Sequence, residues 1–166
     1  MAVTIRELRA DERGLLREFL YLAVHVPPGA EPAPADVVDT DRVLQRYLVG
    51  FGQRTADLAF AADADGDVVG IAWSRLFPGD APGYGYVDDD TPELAVAVRA
   101  DQRGQGVGAR LVEALMAALA DAGFAQVSLS VDKTNPAQRL YQRLGFTTVR
   151  HDDDDLVMVR RLLDAA

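Results

Sequence analysis

The 166-residue chain contains no cysteine. Without thiols it can form neither disulfides nor thiolate metal sites, and no cysteine can act as a nucleophile. Histidine is also scarce, because only His25 and His151 are present and no metal-ligand spacing relates them. We therefore expect no metal site and no covalent cysteine intermediate.

Long apolar runs and an excess of basic residues are missing as well. No segment approaches the roughly 20 apolar residues that span a bilayer, and the first residues lack the apolar stretch of a signal peptide. Acidic residues outnumber basic ones, 26 against 17, which gives a net charge of −9. Such a surface repels phosphate backbones and mildly favours cationic ligands such as amines. We expect a cytoplasmic protein with neither a nucleic-acid nor a membrane partner.

What the chain does contain is enough for one ordinary domain. Hydrophobic residues make up 49% of it, which is sufficient for a core. No repeat or linker divides the sequence, so we expect a single domain over residues 1–166. The sequence leaves the oligomeric state open, a homodimer included.

Hydrophobic periodicity predicts the element order β-α-α-β-β-β-α-β-α-β-β. This order is typical of an α+β fold with one mixed, mostly antiparallel twisted sheet flanked by helices. In the first half, Asp11 is expected to cap the first helix, residues 25–35 are irregular because of four prolines, and Asp65-Gly66 predicts a hairpin. The predicted strands cover residues 3–9, 57–64, 67–77, 92–99, 125–131, 146–150 and 155–162. One helix is predicted to begin at Asp11. Three more are predicted over residues 36–50, 106–122 and 135–144.

A glycine-rich turn follows the fourth predicted strand. Gly104, Gly106 and Gly108 alternate there while an amphipathic helix begins. Glycine lets the backbone approach a bulky anion, and the first turn of a helix presents unpaired N–H groups with a partial positive charge. Arg103 adds a full charge. A plain strand-to-helix turn needs only one glycine, so the pattern indicates a pyrophosphate cradle.

Two other phosphate motifs can be compared with this turn. The nucleotide P-loop requires Lys-Ser/Thr after its last glycine, and Ala109-Arg110 stands there instead. The dinucleotide fingerprint G-x-G-x-x-G/A is matched by Gly104, Gly106 and Ala109, with Asp132 as a candidate ribose ligand. Polar residues separate that match from its strand, and too few residues follow for a doubly wound domain. A nucleotide-binding oxidoreductase is therefore the weaker alternative.

Two motifs resemble those of the GNAT superfamily of acyl-CoA-dependent N-acetyltransferases. Residues 103–108 (RGQGVG), after the strand ELAVAV at 93–98, resemble the acyl-CoA signature of that family. Residues 135–146 (NPAQRLYQRLGF) resemble its later N-P-A-x-x-L-Y-x-x-L-G-F element. The two motifs occur in the family's order, with one helix and one strand between them.

The resemblance implies a direct transfer of an acetyl group from acetyl-CoA, as co-substrate, to a primary amine in a ternary complex. The implied roles are pairing of the strand backbone with the pantetheine arm, pyrophosphate binding by the cradle, and a contact of Asn135 with the cofactor arm. The implied cofactor-binding residues are Val96, Ala97, Val98, Arg103, Gly104, Gln105, Gly106, Val107, Gly108, Ala109, Asn135 and Tyr141.

Acyl transfer to an amine requires acid–base groups. An alkylamine with a pKa of about 10.4 must lose a proton before it attacks, and Glu93, at the start of the strand, is the candidate base. The resemblance places the Tyr141 hydroxyl near the thioester sulfur, where it could assist the leaving thiolate. A solvated strand end for Glu93 and a core position for Tyr141 are the structural alternatives. Backbone N–H near Val98, at an expected strand bulge, would stabilise the oxyanion.

The acceptor matches no pattern in the sequence. We expect it to bind between the irregular residues 25–35 and the loop 78–90, with Tyr84 and Tyr86 in the cleft. Whether it is a small amine, an antibiotic, an amino acid or a protein lysine stays open. A non-catalytic acyl-CoA-binding module is the alternative function. The acidic run at residues 152–155 is expected to be a solvated turn, since it lacks the spacing of a calcium loop.

Overall fold

A computed structural model describes residues 2–164; Met1, Ala165 and Ala166 lie outside the described residues. The observed order of strands and helices agrees with the predicted one, except that the second helix is split in two. The strands are β1 (Val3–Glu7), β2 (Leu58–Ala64), β3 (Asp67–Arg75), β4 (Glu93–Val98), β5 (Gln126–Asp132), β6 (Thr147–His151) and β7 (Asp155–Arg161). The helices are α1 (Leu15–Ala23), α2 (Val37–Thr40), α3 (Arg42–Gln45), α4 (Val107–Asp121) and α5 (Gln138–Arg143).

The seven strands form one sheet in the order β1-β2-β3-β4-β5-β7-β6. Every neighbouring pair is antiparallel except β4 and β5, which run parallel. The predicted hairpin is present between β2 and β3, where Asp65 (φ 53°) and Gly66 (φ 91°) both adopt the left-handed conformation that a tight two-residue turn needs. The expected mixed, mostly antiparallel sheet is confirmed.

The helices cover both faces of the sheet. Leu111, Leu115 and Leu119 recur every four residues along α4 and pack with Ala72 of β3 in one core cluster. Ile71 and Trp73, the neighbours of Ala72 in β3, belong to the other cluster, together with α1. Since successive strand residues point to opposite faces, α4 and α1 lie on opposite sides of the sheet.

Two local predictions in the first half are wrong. The helix expected over residues 36–50 breaks at Asp41, whose extended backbone (ψ 117°) ends α2. Its carboxylate accepts hydrogen bonds from the amides of Val43 and Leu44 and so caps α3. Asp11, expected to cap α1, lies instead in a short 3₁₀ turn, and Gly14 occupies the N-cap position of α1.

The bulge expected near Val98 is also absent. The ladder between β3 and β4 runs without interruption from Gly70–Val98 to Arg75–Glu93. On its other side β4 separates from β5, so its backbone is exposed there without an inserted residue. A register shift occurs elsewhere, between Ala62 and Asp63 of β2.

Candidate active site

The sheet is split between its two parallel strands. Glu93 and Ser128 are the only paired position of β4 and β5 in the part of the chain that the structure describes. Beyond it the strands separate, and a cavity of about 1330 Å³ opens between their carboxyl-terminal halves. Both catalytic candidates, Glu93 and Tyr141, line this cavity.

A glycine packs closely against β5 beside the split. Gly85 lies against the backbone of β5 just past the paired position, and the Ser128 hydroxyl donates a 2.7 Å hydrogen bond to its carbonyl oxygen. A Cβ at Gly85 would lie 2.8 Å from the carbonyl carbon of Leu129 and 2.9 Å from the amide nitrogen of Ser130. Only glycine fits so close to another backbone.

The separation leaves part of the β4 backbone facing the cavity. The amide of Arg99 donates to Val69 of β3 at 2.8 Å, and backbone direction alternates along a strand. The N–H and C=O groups of Val96 and Val98 therefore point away from β3, toward the cavity. Ala97 also lines the cavity, but its backbone groups face β3.

The predicted pyrophosphate cradle lies at one end of the same cavity. Gly104 (φ 75°) and Gly106 (φ 79°) are left-handed, and a Cβ added to either would face open space, with no contact within 4 Å beyond its chain neighbours in residues 2–164. The turn leads directly into the first turn of α4, where Arg110 N donates to the carbonyl of Gly106. Arg103 donates from Nε to the Val98 carbonyl at 3.1 Å. Of the seven residues predicted for the cradle, all but Gln105 line the cavity.

The later motif supplies Asn135 and Tyr141, and both line the cavity. Asn135 Oδ1 accepts from Ala137 N at 2.9 Å, which orders the turn before α5. Tyr141 is 9% exposed and packs edge-on against Phe146. Its hydroxyl has no hydrogen-bond partner among residues 2–164. Burial raises the pKa of Tyr141 to about 12, so its hydroxyl stays protonated at neutral pH.

Glu93 is buried at the point where the strands separate, with 3% of its surface exposed. Oε1 accepts a hydrogen bond from the Tyr47 hydroxyl, whereas Oε2 has no partner within the described chain. Burial raises the pKa of Glu93 to about 7, although the Tyr47 hydrogen bond, the backbone amide of Gly85 and the Arg150 charge oppose the rise. Its carboxyl group can therefore accept and release a proton near neutral pH.

Tyr47 is a site residue that the sequence analysis missed. It is 5% exposed, and its hydroxyl accepts a 2.9 Å hydrogen bond from the amide of Tyr84 while donating to Glu93. A Cβ at Gly83 would collide with Glu93 Oε2 and lie 2.8 Å from the Tyr47 hydroxyl, so this loop position must stay glycine. In the sequence, Tyr47 belongs to an ordinary apolar pattern, and no motif distinguishes it.

A buried ion pair fixes the segment that carries Tyr47. Arg75 and Asp57 are bonded at 2.9 and 3.0 Å, with side chains 1% and 0% exposed. Arg75 also donates to the carbonyl oxygens of Arg46 and Val49, on either side of Tyr47. The guanidinium of Arg75 thereby attaches the turn after α3 to the sheet. Each of its three nitrogens donates at least one hydrogen bond.

The two catalytic candidates belong to opposite faces of the sheet. Ala97, which shares a strand face with Glu93, packs in the cluster of α1, whereas Tyr141 packs in that of α4. An unbroken sheet would separate them. The split between β4 and β5 lets both line one cavity.

The acceptor cleft expected from the sequence is present in part. Tyr84 lines the cavity, together with four residues of the irregular segment: His25, Val26, Pro32 and Ala33. Tyr86 does not line it, and its hydroxyl donates to Asp89 at 2.6 Å. Tyr21 of α1, which the sequence analysis did not select, orders the segment by donating to the Ala33 carbonyl at 2.7 Å.

Comparison with known proteins agrees with this geometry. A model of the acetyltransferase (GNAT) family matches residues 11–146. The chain belongs to this family. Mycothiol acetyltransferase of Nocardioides sp. is 33% identical over 165 residues, which cover 96% of the chain but only 54% of that protein. The chain thus spans about half the length of this curated relative, and less than a third of several others.

Solved structures share the fold. SsHAT superposes with a TM-score of 0.74 at 19% identity, covering 99% of this chain and 100% of its own. PaiA N-acetyltransferase from Thermoplasma acidophilum, solved in complex with coenzyme A, superposes with a TM-score of 0.67 at 14% identity, covering 97% and 99%. The resemblance inferred from the two motifs is confirmed, and the family match favours an acetyltransferase over the dinucleotide-binding alternative.

Two further observations concern residues 2–164 only. No helix there is long and apolar enough to cross a membrane. No group of three or more histidine and carboxylate side chains in that range is arranged to hold a metal ion.

Proposed function

We propose that the protein is an N-acetyltransferase that transfers an acetyl group from acetyl-CoA directly to a primary amine in a ternary complex. The observation that carries this proposal is the split between β4 and β5. It gives one cavity a phosphate cradle, a free strand backbone, a buried carboxyl group with a raised pKa and an unpartnered tyrosine hydroxyl. The amine acceptor and the homodimer stay predictions.

The cavity suits two polar parts of the coenzyme, the pyrophosphate and the amides of the pantetheine arm. Open space above Gly104 and Gly106, together with the first-turn amides of α4, suits a pyrophosphate. The backbone groups of Val96 and Val98 suit the amides of a pantetheine arm. Asn135 has amide donors to offer to the same arm. Bound acetyl-CoA would supply an acetyl thioester, which has a good leaving group.

The residues of the chain then supply proton transfers. Glu93 in its charged form accepts a proton from the acceptor amine at Oε2, because Oε1 is held by Tyr47. Tyr141 is protonated and offers its hydroxyl to the departing sulfur. The amide of Val98 is a candidate oxyanion donor, since it points into the cavity. A non-catalytic binding module would have no use for a buried carboxyl group poised near neutral pH.

Turnover and binding test this proposal separately. Release of free thiol from acetyl-CoA is measured across an amine panel that includes the acceptor of mycothiol acetyltransferases, suggested by the 33% identical relative. Acetyl-CoA, but not NAD, is expected to raise the melting temperature through binding to the native state. Tight acetyl-CoA binding without turnover on any amine would favour the non-catalytic module, and stabilisation by NAD alone would exclude the proposal.

A matched pair of glycine variants locates the coenzyme. Gly106→Asp places a negative side chain in the proposed cradle and is expected to abolish the stabilisation by acetyl-CoA. Gly123→Asp is the control, because Gly123 is also left-handed (φ 92°), also has open space around a Cβ, and lies beyond the other end of α4. Equal loss of stabilisation in both variants would mean that strain, not the cradle, is responsible.

A further inference from the structure

Charged side chains are segregated along the cavity. The arginines that line it, Arg103 and Arg143, come from the turn before α4 and from α5, which flank the proposed coenzyme site. The carboxylates come from the other walls: α3, the start of β4, the end of β5 and the turn into β7. They are Asp41, Glu93, Asp132, Asp154 and Asp155.

These carboxylates lack ion pairs in the described part of the chain, although the Arg150 charge opposes the rise in the pKa of Glu93 and the His25 charge favours a lower pKa for Asp132. None of the five takes part in an ion pair among residues 2–164, whereas Asp39, Asp57 and Asp63 elsewhere are all paired. A cavity lined by unpaired carboxylates has a negative potential and attracts cations.

The buried carboxyl group of Glu93 is a second indication of a ligand, independent of the unpaired charges. Glu93 lines the same cavity, and its Oε2 is buried and has no hydrogen-bond partner in the described chain. A buried polar atom without a partner is costly unless a water or a ligand bonds to it. A donor such as an amine would satisfy Oε2.

A second anionic position lies at Tyr84, on the wall away from the cradle. The Tyr84 hydroxyl lies 3.4 Å from Asp41 Oδ2. Burial raises the pKa of Tyr84, and the charges of Asp41 and Asp155 raise it further, while Arg46 opposes them. The hydroxyl therefore lies within the field of two carboxylates. Apolar side chains of Leu20, Val37 and Leu44 line the same cavity and suit a methylene chain.

We propose that the acceptor is a dicationic amine, with its reacting nitrogen at Glu93 and a second cationic group held by Asp41, Tyr84 and Asp155. This substrate class rests on the proposed acetyltransferase function. The charge of the second group, more than the shape of the acceptor, provides the selectivity. A linear diamine is the simplest such compound.

Binding of matched diamines and monoamines tests this inference without requiring turnover. Calorimetry in the presence of coenzyme A compares diaminopropane, diaminobutane and diaminopentane with the monoamine of the same length. At least one diamine is expected to bind about tenfold more tightly than its monoamine, on the scale of two partly exposed ion pairs. Monoamines that bind as tightly as diamines at every length would overturn the inference.

Charge-removing variants identify the carboxylates. Asp41→Asn keeps Oδ1 as the cap of α3, since asparagine is also a good N-cap, and Asp155→Asn keeps the side-chain shape. Each is expected to weaken diamine binding about fivefold and to leave monoamine binding unchanged. Asp121→Asn, at the exposed end of α4, removes the same charge away from the cavity and is the control. Equal weakening of diamine and monoamine binding would assign these residues a structural role.

Thiol release from the same amines separates the two proposals. Acetylation of diamines and monoamines at equal kcat/KM would reject the dicationic acceptor and keep the acetyltransferase. Selective diamine binding without acetylation would keep the dicationic site and reject the proposed reaction.

Discussion

The hydroxyl of Tyr47 donates a hydrogen bond to Oε1 of Glu93, across 46 residues of sequence, and both side chains are buried. The bond stabilises the charged form of Glu93 and so limits the rise of its pKa, which burial causes. Oε2, in contrast, has no hydrogen-bond partner among residues 2–164. Tyr47 is therefore a positioning residue for the proposed base.

Tyr47→Phe is expected to shift the pH profile of kcat/KM. Loss of the hydrogen bond raises the pKa of Glu93 further, so the acidic limb of the profile moves to higher pH by about one unit, the scale of a hydrogen bond to a charged group. The control is Tyr86→Phe, whose hydroxyl bonds to Asp89 outside the cavity and whose loss leaves the limb in place. An acidic limb unmoved by Tyr47→Phe would show that Tyr47 does not set the pKa of Glu93.

Glu93→Gln is expected to slow turnover at neutral pH, with partial recovery at higher pH as the amine loses its own proton. The same substitution is expected to stabilise the folded protein at neutral pH, although it slows turnover. The pKa of Glu93 rises from 4.5 to about 7 on folding, so its contribution to stability is complete below pH 4.5 and is lost as pH rises through 7.

The Glu93→Gln protein has no carboxyl group at this position and does not lose stability in this way. Its free energy of unfolding relative to wild type therefore increases between pH 4.5 and 7, by roughly 3 kcal/mol for the full pKa shift. Urea unfolding at pH 5 and pH 8 measures this difference, and thiol release measures the rate. Unchanged turnover at neutral pH, with stability still increased, would leave Glu93 as a buried residue without a catalytic role.

Tyr141→Phe separates catalysis from packing. The ring is kept, and the hydroxyl has no partner among residues 2–164, so the melting temperature should barely change. If the hydroxyl assists the departing thiolate, turnover should fall about 10²-fold or more, with acetyl-CoA binding nearly unchanged. Tyr21→Phe is the contrast, since it removes a hydrogen bond to Ala33 and is expected to cost about 1 kcal/mol of stability. A fully active Tyr141→Phe protein would remove Tyr141 from the mechanism.

Arg75→Met leaves the buried carboxylate of Asp57 without its partner. Removing one member of a buried ion pair typically costs about 3–5 kcal/mol, and denaturant unfolding measures it. The turn that carries Tyr47 also loses two hydrogen bonds, so turnover should fall as well. Arg17→Met breaks an exposed pair with Asp39, which solvent screens, and is expected to cost far less stability. Similar costs for the two variants would contradict the assigned role of Arg75.

The parts of the fold and site that were predictable are those encoded locally. The Asp65-Gly66 hairpin needs only two residues with positive φ, and the cradle needs glycines beside a helix start, so both patterns are visible in the sequence. Alternation along β4 also predicted one face for Glu93, Ala95 and Ala97; both alanines pack in the cluster of α1, and Glu93 is bonded to Tyr47 of that cluster.

What the sequence did not predict depends on contacts between distant segments. Tyr47 approaches Glu93 from a turn that Arg75 anchors, and no spacing along the chain encodes that contact. The single paired position of β4 and β5 and the contact of Gly85 with β5 beside it also have no signal in the sequence. The break at Asp41 went unrecognised because aspartate is tolerated within a helix as well as at its cap.

The split also gives the sheet an edge strand in its interior. Val96 and the amide of Val98 present backbone groups there that no strand pairs with, and such edges recruit extended chains with amides of suitable spacing. The coenzyme arm would thus complete the ladder as a peptide strand does. The amides of Val96 and Val98 should exchange with solvent deuterium quickly in the free protein and slowly with acetyl-CoA bound. The amide of Ala97, already paired with β3, should stay protected throughout.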